Sequence, residues 1–298
     1  MGFFKSTTEL KISAGGAVNA SLELASIEPT VRYVAERYLQ PWVGKTLLDE
    51  CEAYIASNYT PADTVKALLL AYVQDALAPL SLEEYSKIAA VQMSESGMFR
   101  IESDERRTPY KYQETEWRRS MRAHGFNALE RLIQVLEDNK DKTLFASWLT
   151  EARPRAKGLF INSAAELRDV YSSYVDRATF EAIRPIIEDL ESFIVKARIG
   201  TTEFDRLKGF ILNGVPAQDA EIYTTAIRYL QKAIGLAAVN EAMKRHWVTI
   251  KENQLIQAEI LEPQGYLREG SPSGQSLATT LLHLDSFSAR ELSLALDY

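Results

Sequence analysis

Residues 43–46 read Val-Gly-Lys-Thr, which is how a phosphate-binding P-loop ends. That motif also needs a glycine five residues before Gly44, and this position holds Leu39. The earlier glycine is required because backbone N–H groups must approach the phosphates closely. The matching later segment at Gly200 continues with Thr201 in place of a lysine. We therefore interpret residues 43–46 as a turn that joins two helices.

Other reactive side chains are isolated along the chain. Cys51 is the single cysteine and has no base beside it, so it is predicted to be a small buried residue in a helix. The three histidines are far apart and have no metal-ligand spacing: His124, His246 and His283. The Gly-Ser-Pro-Ser-Gly segment at 270–274 has its serine one place away from a nucleophile elbow and predicts a loop. We therefore expect no catalytic, cofactor-binding or metal-binding residue.

Residues 100–122 form the one locally basic stretch, which begins with Arg100 and ends with Arg122. Between these ends lie further cations with interleaved aromatic residues: Arg106, Arg107, Tyr110, Lys111, Tyr112, Trp117, Arg118 and Arg119. Such a combination is typical of a contact to nucleic acid or to an acidic partner. Five carboxylates in the same stretch dilute the charge, so a solvated surface is the alternative. We expect at most a weak DNA contact through this stretch.

The composition is that of a folded protein, with 46% hydrophobic residues and a net charge of −7. The net charge is −3 over residues 1–156 and −4 over the remainder, so neither half is a basic nucleic-acid-binding domain. No signal-peptide pattern begins the sequence, and the longest apolar run, near residues 67–73, is far shorter than a membrane span. We expect a soluble protein of the cytoplasm or a virion, neither secreted nor bound to a membrane.

The sequence contains an internal repeat, and the helices that must position these residues belong to it. Four anchors recur in the same order 155 to 157 residues later: Phe3-x-x-Ser6-x-x-Glu9 as Phe160-x-x-Ser163-x-x-Glu166, Pro29 as Pro185, Gly44 as Gly200, and Pro61 as Pro216. Ser-x-x-Glu predicts a capping box at a helix start. The first proline suits the early part of a helix, and the glycine should end that helix with a left-handed conformation. The last proline precedes the next helix.

The predicted fold is mainly α, with two tandem copies of a helical-bundle unit that each carry a short β-hairpin. The units span residues 1–150 and 157–298, and residues 139–157 are interpreted as a linker. Alternation of apolar residues predicts the hairpins at 91–102 and 248–260. A second capping box, Ser81-x-x-Glu84, predicts that a separate short helix begins there. The first unit should end in a long helix over 113–138, whereas the second has a Pro- and Gly-rich segment at 263–274 and then short helical stretches.

The order of these elements resembles the head–tail connector family of phages and prophages. The positions that carry the resemblance are Glu9-Leu10-Lys11, residues 35–39, Gly44 and residues 67–71, and in the second copy Glu166-Leu167-Arg168, Gly200 and the helix around Ala226. The resemblance covers about 100 residues in each unit. It implies a small, mostly helical adaptor that forms a ring beneath the portal of a phage head. This chain differs because it fuses two units where a connector usually has one.

Three functions remain open from the sequence. The first is a non-enzymatic structural or assembly protein that self-associates or binds phage structural proteins such as a portal. The second is a monomeric helical scaffold that binds a protein partner. The third is an enzyme with a site between the two units, for which the sequence offers no catalytic residues and no cofactor.

Overall fold

A computed structural model of the chain describes residues 2–15, 22–57, 64–89, 91–94, 97–100, 110–171, 175–217 and 220–252. These residues are mainly helical, so the predicted class is confirmed at that level. The chain divides into two compact units, Met1–Ala156 and Lys157–Tyr298, which we call unit 1 and unit 2.

Unit 1 is a set of helices with one small sheet. Its helices are α1 (Thr7–Ser13), α2 (Leu24–Val34), the π-helical turn π1 (Ala35–Leu39), α3 (Gln40–Val43), α4 (Lys45–Ala56), α5 (Thr64–Ala89), α6 (Lys111–Asp138), a 3-10 turn (Thr143–Phe145), α7 (Ala146–Glu151) and α8 (Arg153–Lys157). Strands β1 (Val91–Ser94) and β2 (Gly97–Arg100) pair antiparallel, with Val91 opposite Arg100 and Ser94 opposite Gly97. The two strands lie within residues 91–102, for which alternation predicts a hairpin.

Helix α1 begins at a capping serine. The Ser6 hydroxyl accepts a hydrogen bond from the Glu9 amide at 3.2 Å, which confirms the predicted N-cap. The Glu9 carboxylate accepts from the Lys5 amide at 2.6 Å, one residue before the cap, where the usual capping box would use the cap residue itself. The helix is therefore fixed at its start by two side chains from the motif that predicted it.

Helices α2, π1 and α3 run without a break to Val43, and Gly44 alone separates them from α4. Gly44 has φ 87° and ψ 151°, so its predicted positive φ is confirmed, although ψ is extended and differs from that of a left-handed helix. Pro29 lies in the interior of α2, so the prediction of an early position is wrong. The predicted break beginning at Pro41 is also wrong, because Pro41 lies within α3, which continues π1 directly.

Helix α5 is the centre of unit 1 and packs against α1, α2 and α6. Every side chain from Ala76 to Glu83 is buried, including Pro79 and Ser81 inside the helix. The predicted helix start at Ser81 is therefore wrong. Helices that pack around this stretch stabilise a continuous α5 more than a proline and a local cap can destabilise it.

The segment predicted as a linker is folded. Residues 143–157 form the 3-10 turn, α7 and α8, and Phe145 and Trp148 are fully buried. The Trp148 Nε1–H donates a hydrogen bond to the Trp42 carbonyl oxygen at 2.9 Å. The linker interpretation is wrong because these large aromatic side chains are buried in the core of unit 1, and burial of an aromatic ring contributes strongly to stability.

Unit 2 is helical over its described residues. Its helices are α9 (Ala164–Val170), α10 (Arg177–Asp189), the π-helical turn π2 (Leu190–Val195), α11 (Lys196–Ile199), α12 (Thr201–Asn213) and α13 (Ala220–Glu252). The predicted second hairpin is wrong over residues 248–252, which continue α13, and residues 253–260 lie outside the described part of the chain. The 263–274 segment also lies outside it.

The core of unit 2 forms between α9, α10, α12 and α13. Phe160, Leu167, Phe180 and Ile187 are fully buried there. Gly235 lets α13 approach α9 closely, because a Cβ at this position would lie 2.9 Å from Val170 Cγ1. The core thus places the start of the unit, near Phe160, directly against its longest helix.

Candidate functional site

The P-loop-like segment is a helix junction. Lys45 Nζ binds both carboxylate oxygens of Asp49, at 2.9 and 2.6 Å, on the exposed side of α4. The Thr46 hydroxyl and amide both donate to the Glu151 carboxylate, the amide at 3.2 Å. These hydrogen bonds lower the pKa of the Glu151 carboxyl. The donors that would hold a phosphate in a P-loop are thus engaged with carboxylates of the same unit.

Cys51 is a buried residue of α4, as predicted. Burial raises the pKa of its thiol to about 12, with a further contribution from the negative charge of Glu50. Because the nucleophile is the thiolate, this cysteine is protonated and unreactive near neutral pH.

The remaining sequence candidates do not converge on a metal or catalytic site. His124 lies on α6 and His246 on α13, while His283 and residues 270–274 lie outside the described residues. Within the described residues, no group of three His, Cys, Asp or Glu side chains could hold a metal ion.

Two arginines of the basic stretch are engaged inside unit 1. Arg118 donates to the Ser86 hydroxyl at 3.0 Å and to the Ser86 carbonyl at 3.1 Å, and so joins α6 to α5. It also pairs with Glu114 at 2.5 Å. The Arg122 guanidinium lies 5.2 Å from the centre of the Phe126 ring. Arg118 thus links α6 to α5, whereas the Arg122 contact lies within α6.

The exposed part of the stretch lies at the start of α6. The rings of Tyr110 and Tyr112 stack with centres 5.9 Å apart, and both are well exposed. Arg119 is exposed on the same helix, 4.0 Å from Glu116. Residues 101–109, with Arg106 and Arg107, lie outside the described residues.

Unit 1 holds a charged cluster around Tyr38 that the sequence did not reveal. The Tyr38 hydroxyl donates to Glu84 at 2.8 Å, and Lys87 binds Glu83 at 2.8 Å and Glu84 at 3.0 Å. Burial raises the pKa of Tyr38, and the bond to Glu84 raises it further. Burial alone would raise the pKa of Glu84, but the bonds from Tyr38 and Lys87 lower it overall. The cluster ties π1 to the end of α5.

Unit 2 holds a buried ion pair between Glu191 on π2 and Lys208 on α12. Glu191 also accepts from the Phe160 amide at 2.7 Å, and Lys208 donates to the Gly158 carbonyl at 2.6 Å. Burial raises the pKa of the Glu191 carboxyl and lowers that of Lys208, against the attraction between the two charges. The pair fastens the first residues of unit 2 to two helices. No local spacing could have predicted it, because its members are 17 residues apart.

Beside this buried pair, π2 presents apolar side chains to solvent. Phe193 is 75% exposed and Ile194 is 47% exposed. The positions 156 residues earlier are Arg37 and Tyr38, which are polar or partly buried on π1. An exposed aromatic side chain on a firmly anchored turn is a candidate contact for a protein partner. We call Phe193 and Ile194 the π2 tip.

The sequence profile of a family of unknown function, DUF6712, matches residues 39–157. The matched range contains α3 to α8, and with them the contact of Trp148 with Trp42 and the packing of α5 on α6. No curated protein and no solved structure matches the chain. Among the described helices, α5 is long and apolar enough to cross a membrane, but 61% of its most apolar window is buried in the fold, as in the core helix of a soluble protein.

Proposed function

We propose that this chain is a non-enzymatic structural protein of an assembly, built from two tandem copies of one helical unit and similar in role to a phage or prophage head–tail connector subunit. The natural setting of such a protein is the cytoplasm during assembly and then the virion. A monomeric scaffold that binds one protein partner is the alternative.

One repeated hydrogen bond carries the proposal. The Gln74 side-chain amide donates to the Phe3 carbonyl at 2.7 Å, and the Gln231 side-chain amide donates to the Phe160 carbonyl at 2.7 Å. Each bond joins residues 71 apart in the sequence and links the start of a unit to a long helix, α5 in unit 1 and α13 in unit 2. A tertiary contact that recurs with the same partners and separation favours a duplicated unit over two unrelated bundles.

Several local features repeat around that bond. The Ser163 hydroxyl accepts from the Glu166 amide at 3.0 Å, as Ser6 does from Glu9 in unit 1. Gly200 has φ 82° and ψ 155°, close to the 87° and 151° of Gly44. Each glycine follows a helix that contains a proline and then a π-helical turn: Pro29 with π1, and Pro185 with π2. Of these positions, Gly44 and Gly200 also carry the resemblance to connectors.

Two like units in one chain suit a ring or stack, because such assemblies form by repeating one contact between neighbours. One chain then occupies two adjacent positions. The π2 tip offers a surface for the contact, since Phe193 and Ile194 are exposed in unit 2, whereas unit 1 has Arg37 and Tyr38 at those positions.

Native mass spectrometry of the purified chain, alone and with the neighbouring portal protein, tests the proposal. We expect an oligomer or a portal complex, and the variant Phe193→Ser should reduce its abundance at least about tenfold, which equals a loss of about 1.4 kcal/mol at one contact. Ile12→Ser is the matched control, because Ile12 is 74% exposed and Phe193 is 75% exposed, but Ile12 lies in unit 1. A strict monomer in both samples would reject the assembly role and leave the monomeric scaffold.

The weak DNA contact is a secondary part of the proposal. Its support is limited to the stacked pair Tyr110–Tyr112 and the exposed Arg119 at the start of α6. Binding of single-stranded DNA should then weaken in Tyr112→Ala and should fall steeply with salt concentration. Binding that is equal in Tyr112→Ala and the parent chain would remove this contact.

A further inference from the structure

The helices that lead to Gly44 and Gly200 correspond position by position when 156 is added to the number. In both units a helix with a proline in its interior continues into a π-helical turn and then ends at the glycine. The same side of this helix is buried in both units, at Ile27, Val31 and Ala35 and at Ile183, Ile187 and Glu191. The opposite side therefore faces outward at corresponding positions.

This outward side carries opposite charge in the two units. In unit 1 it consists of Arg32, Tyr33, Glu36 and Arg37, which we call face 1. In unit 2 the same positions hold Glu188, Asp189, Ser192 and Phe193, which we call face 2. All of these residues are exposed except Glu188, whose side chain is 46% exposed. Two arginines and one glutamate give face 1 a net charge of +1, and two carboxylates give face 2 a net charge of −2.

A local ion pair beside the two faces is reversed in sign. In unit 1, Arg32 Nη2 lies 2.9 Å from Glu28 Oε1. In unit 2, Arg184 Nε lies 2.9 Å from Glu188 Oε1. Glu28 occupies the position of Arg184, and Arg32 occupies the position of Glu188. The two faces thus differ in charge on the same helix geometry.

Each face also places a charge four residues from an aromatic ring. On face 1, Arg37 Nη1 donates to the Tyr33 hydroxyl, and the Arg37 guanidinium lies 5.5 Å from the centre of the Tyr33 ring. This contact holds both side chains in place, so that less conformational freedom is lost when a partner binds. On face 2, Asp189 precedes Phe193, which is 75% exposed. Arginine and aromatic side chains are enriched in protein–protein interfaces.

We propose that face 1 of one chain docks on face 2 of a second copy of this chain. The inference rests on the proposed function, since it names the contact through which the assembly forms. The contact places Arg37 opposite Asp189 and Tyr33 opposite Phe193. An antiparallel crossing of the two helices makes both pairs at once, because Tyr33 and Asp189 hold one equivalent position and Arg37 and Phe193 hold the other.

The occupant is a second copy because the complementary charge and ring are present on this same chain. Tyr33 is 45% exposed and Phe193 is 75% exposed, so both rings have area to bury. Two like faces would bring like charges together, which disfavours contacts between two unit 1 faces or two unit 2 faces. The contact is therefore head-to-tail. Each docked pair of chains has one further face 1 and one further face 2, through which the same contact can be repeated.

Sedimentation velocity of the full chain, without any other protein, tests the contact. We expect self-association that weakens as the salt concentration rises, because the Arg37–Asp189 pair lies near the surface. Arg37→Asp should raise the Kd of self-association at least about tenfold by placing two carboxylates opposite each other. Arg131→Asp is the matched control, because Arg131 is an exposed arginine of unit 1 on α6, outside face 1, and the Kd should not change.

A mixture of two variants identifies the occupant. Arg37→Asp alters face 1 and keeps face 2, whereas Asp189→Arg alters face 2 and keeps face 1. Each variant alone should associate at least about tenfold more weakly than the parent chain. The equimolar mixture should form a complex with nearly the parent Kd, because it contains one unaltered contact. Recovery in the mixture also shows that both variants are folded.

The two rings supply a second readout that does not depend on charge. Tyr33→Ser and Phe193→Ser should each raise the Kd of self-association about tenfold. If the rings pack on each other, the double variant should lose little more than either single variant, in place of the roughly hundredfold loss that independent sites would give.

Three outcomes would overturn the inference: a chain that is monomeric by itself, an Arg37→Asp variant that associates like Arg131→Asp, or a mixture that recovers no complex. A chain that is monomeric by itself but binds the portal protein would reject this contact and keep the assembly role. An oligomer that Phe193→Ser reduces and Arg37→Asp does not would also keep that role, with a different partner for the π2 tip. A strict monomer with and without the portal would reject both, so the two failures are distinguishable.

Discussion

Gly200 and Gly209 lie nine residues apart in unit 2, and an alanine at each should change the free energy of unfolding in opposite directions. A Cβ at either position would meet no atom within 4 Å, so steric contact does not distinguish them. The difference is the backbone. Gly200 joins α11 to α12 with φ 82° and ψ 155°, whereas Gly209 lies in the interior of α12.

The magnitudes follow from these conformations. A residue with a side chain in the region that Gly200 occupies is strained by about 1–3 kcal/mol. Alanine also restricts the unfolded chain, which offsets about 0.4–1 kcal/mol of that strain. Because φ 82° and ψ 155° lie in a region that is essentially restricted to glycine, the strain is near the upper end of its range, and Gly200→Ala should destabilise unit 2 by about 2 kcal/mol. Gly209→Ala should stabilise it by about 0.5–1 kcal/mol, because glycine is a poor residue in a helix interior.

An alanine at Gly44 would have a steric clash in addition to the same backbone strain. A Cβ there would lie 2.8 Å from Glu151 Oε2 and 3.2 Å from Glu151 Cβ. Gly44→Ala should therefore force Glu151 away from Thr46 and cost more than Gly200→Ala. In a Glu151→Ala background, Gly44→Ala should cost less than it does in the parent chain, because the clash with the Glu151 carboxylate is absent.

Urea unfolding followed by far-ultraviolet circular dichroism measures these changes, and hydrogen exchange assigns them to a unit. A neutral or stabilising Gly200→Ala would refute the backbone argument, because no contact exists to compensate it. Equal losses in Gly44→Ala and Gly200→Ala would refute the role of Glu151.

Three further changes test other contacts. Ser163→Ala should destabilise unit 2 by about 0.5–2 kcal/mol in urea unfolding, because α9 loses its N-cap. Ser163→Asn should keep most of the parent stability, because asparagine also caps helices. Burial alone would raise the pKa of Glu137, but hydrogen bonds from Arg153 and Lys140 lower it to about 2. Since the folded pKa is depressed, this stabilisation is present above about pH 4.3 and is lost as pH falls towards 2, so the melting temperature of Glu137→Gln should depend less on pH in that window. Lys208→Met should cost about 3–5 kcal/mol by leaving Glu191 buried without its cation, and the double variant with Glu191→Gln should cost less than that single change.

The features of this fold that the sequence predicted correctly depend on interactions between neighbouring residues. A serine three residues before a glutamate caps α1 and α9, and a lone glycine turns the chain at Gly44 and Gly200. These signals act between residues that lie within one turn of a helix of each other. The same holds for Cys51, because a single cysteine without a neighbouring base is a core residue by default.

Tertiary packing decided the parts that local signals predicted wrongly. Ser81 has the pattern of a helix cap, yet it lies inside α5 because helices around it bury that whole stretch. The intrinsic helix propensities of ordinary residues differ by only about 0.5 kcal/mol per residue. The free energy gained by burying a few apolar side chains is larger than this difference.

The functional features also divide into those that neighbouring residues predict and those that depend on tertiary packing. The sequence by itself determined a mainly helical chain with repeated anchors, because periodicity and capping are properties of neighbouring residues. Only the tertiary structure brought Glu191 to Lys208 and exposed Phe193, because both depend on which helix faces meet.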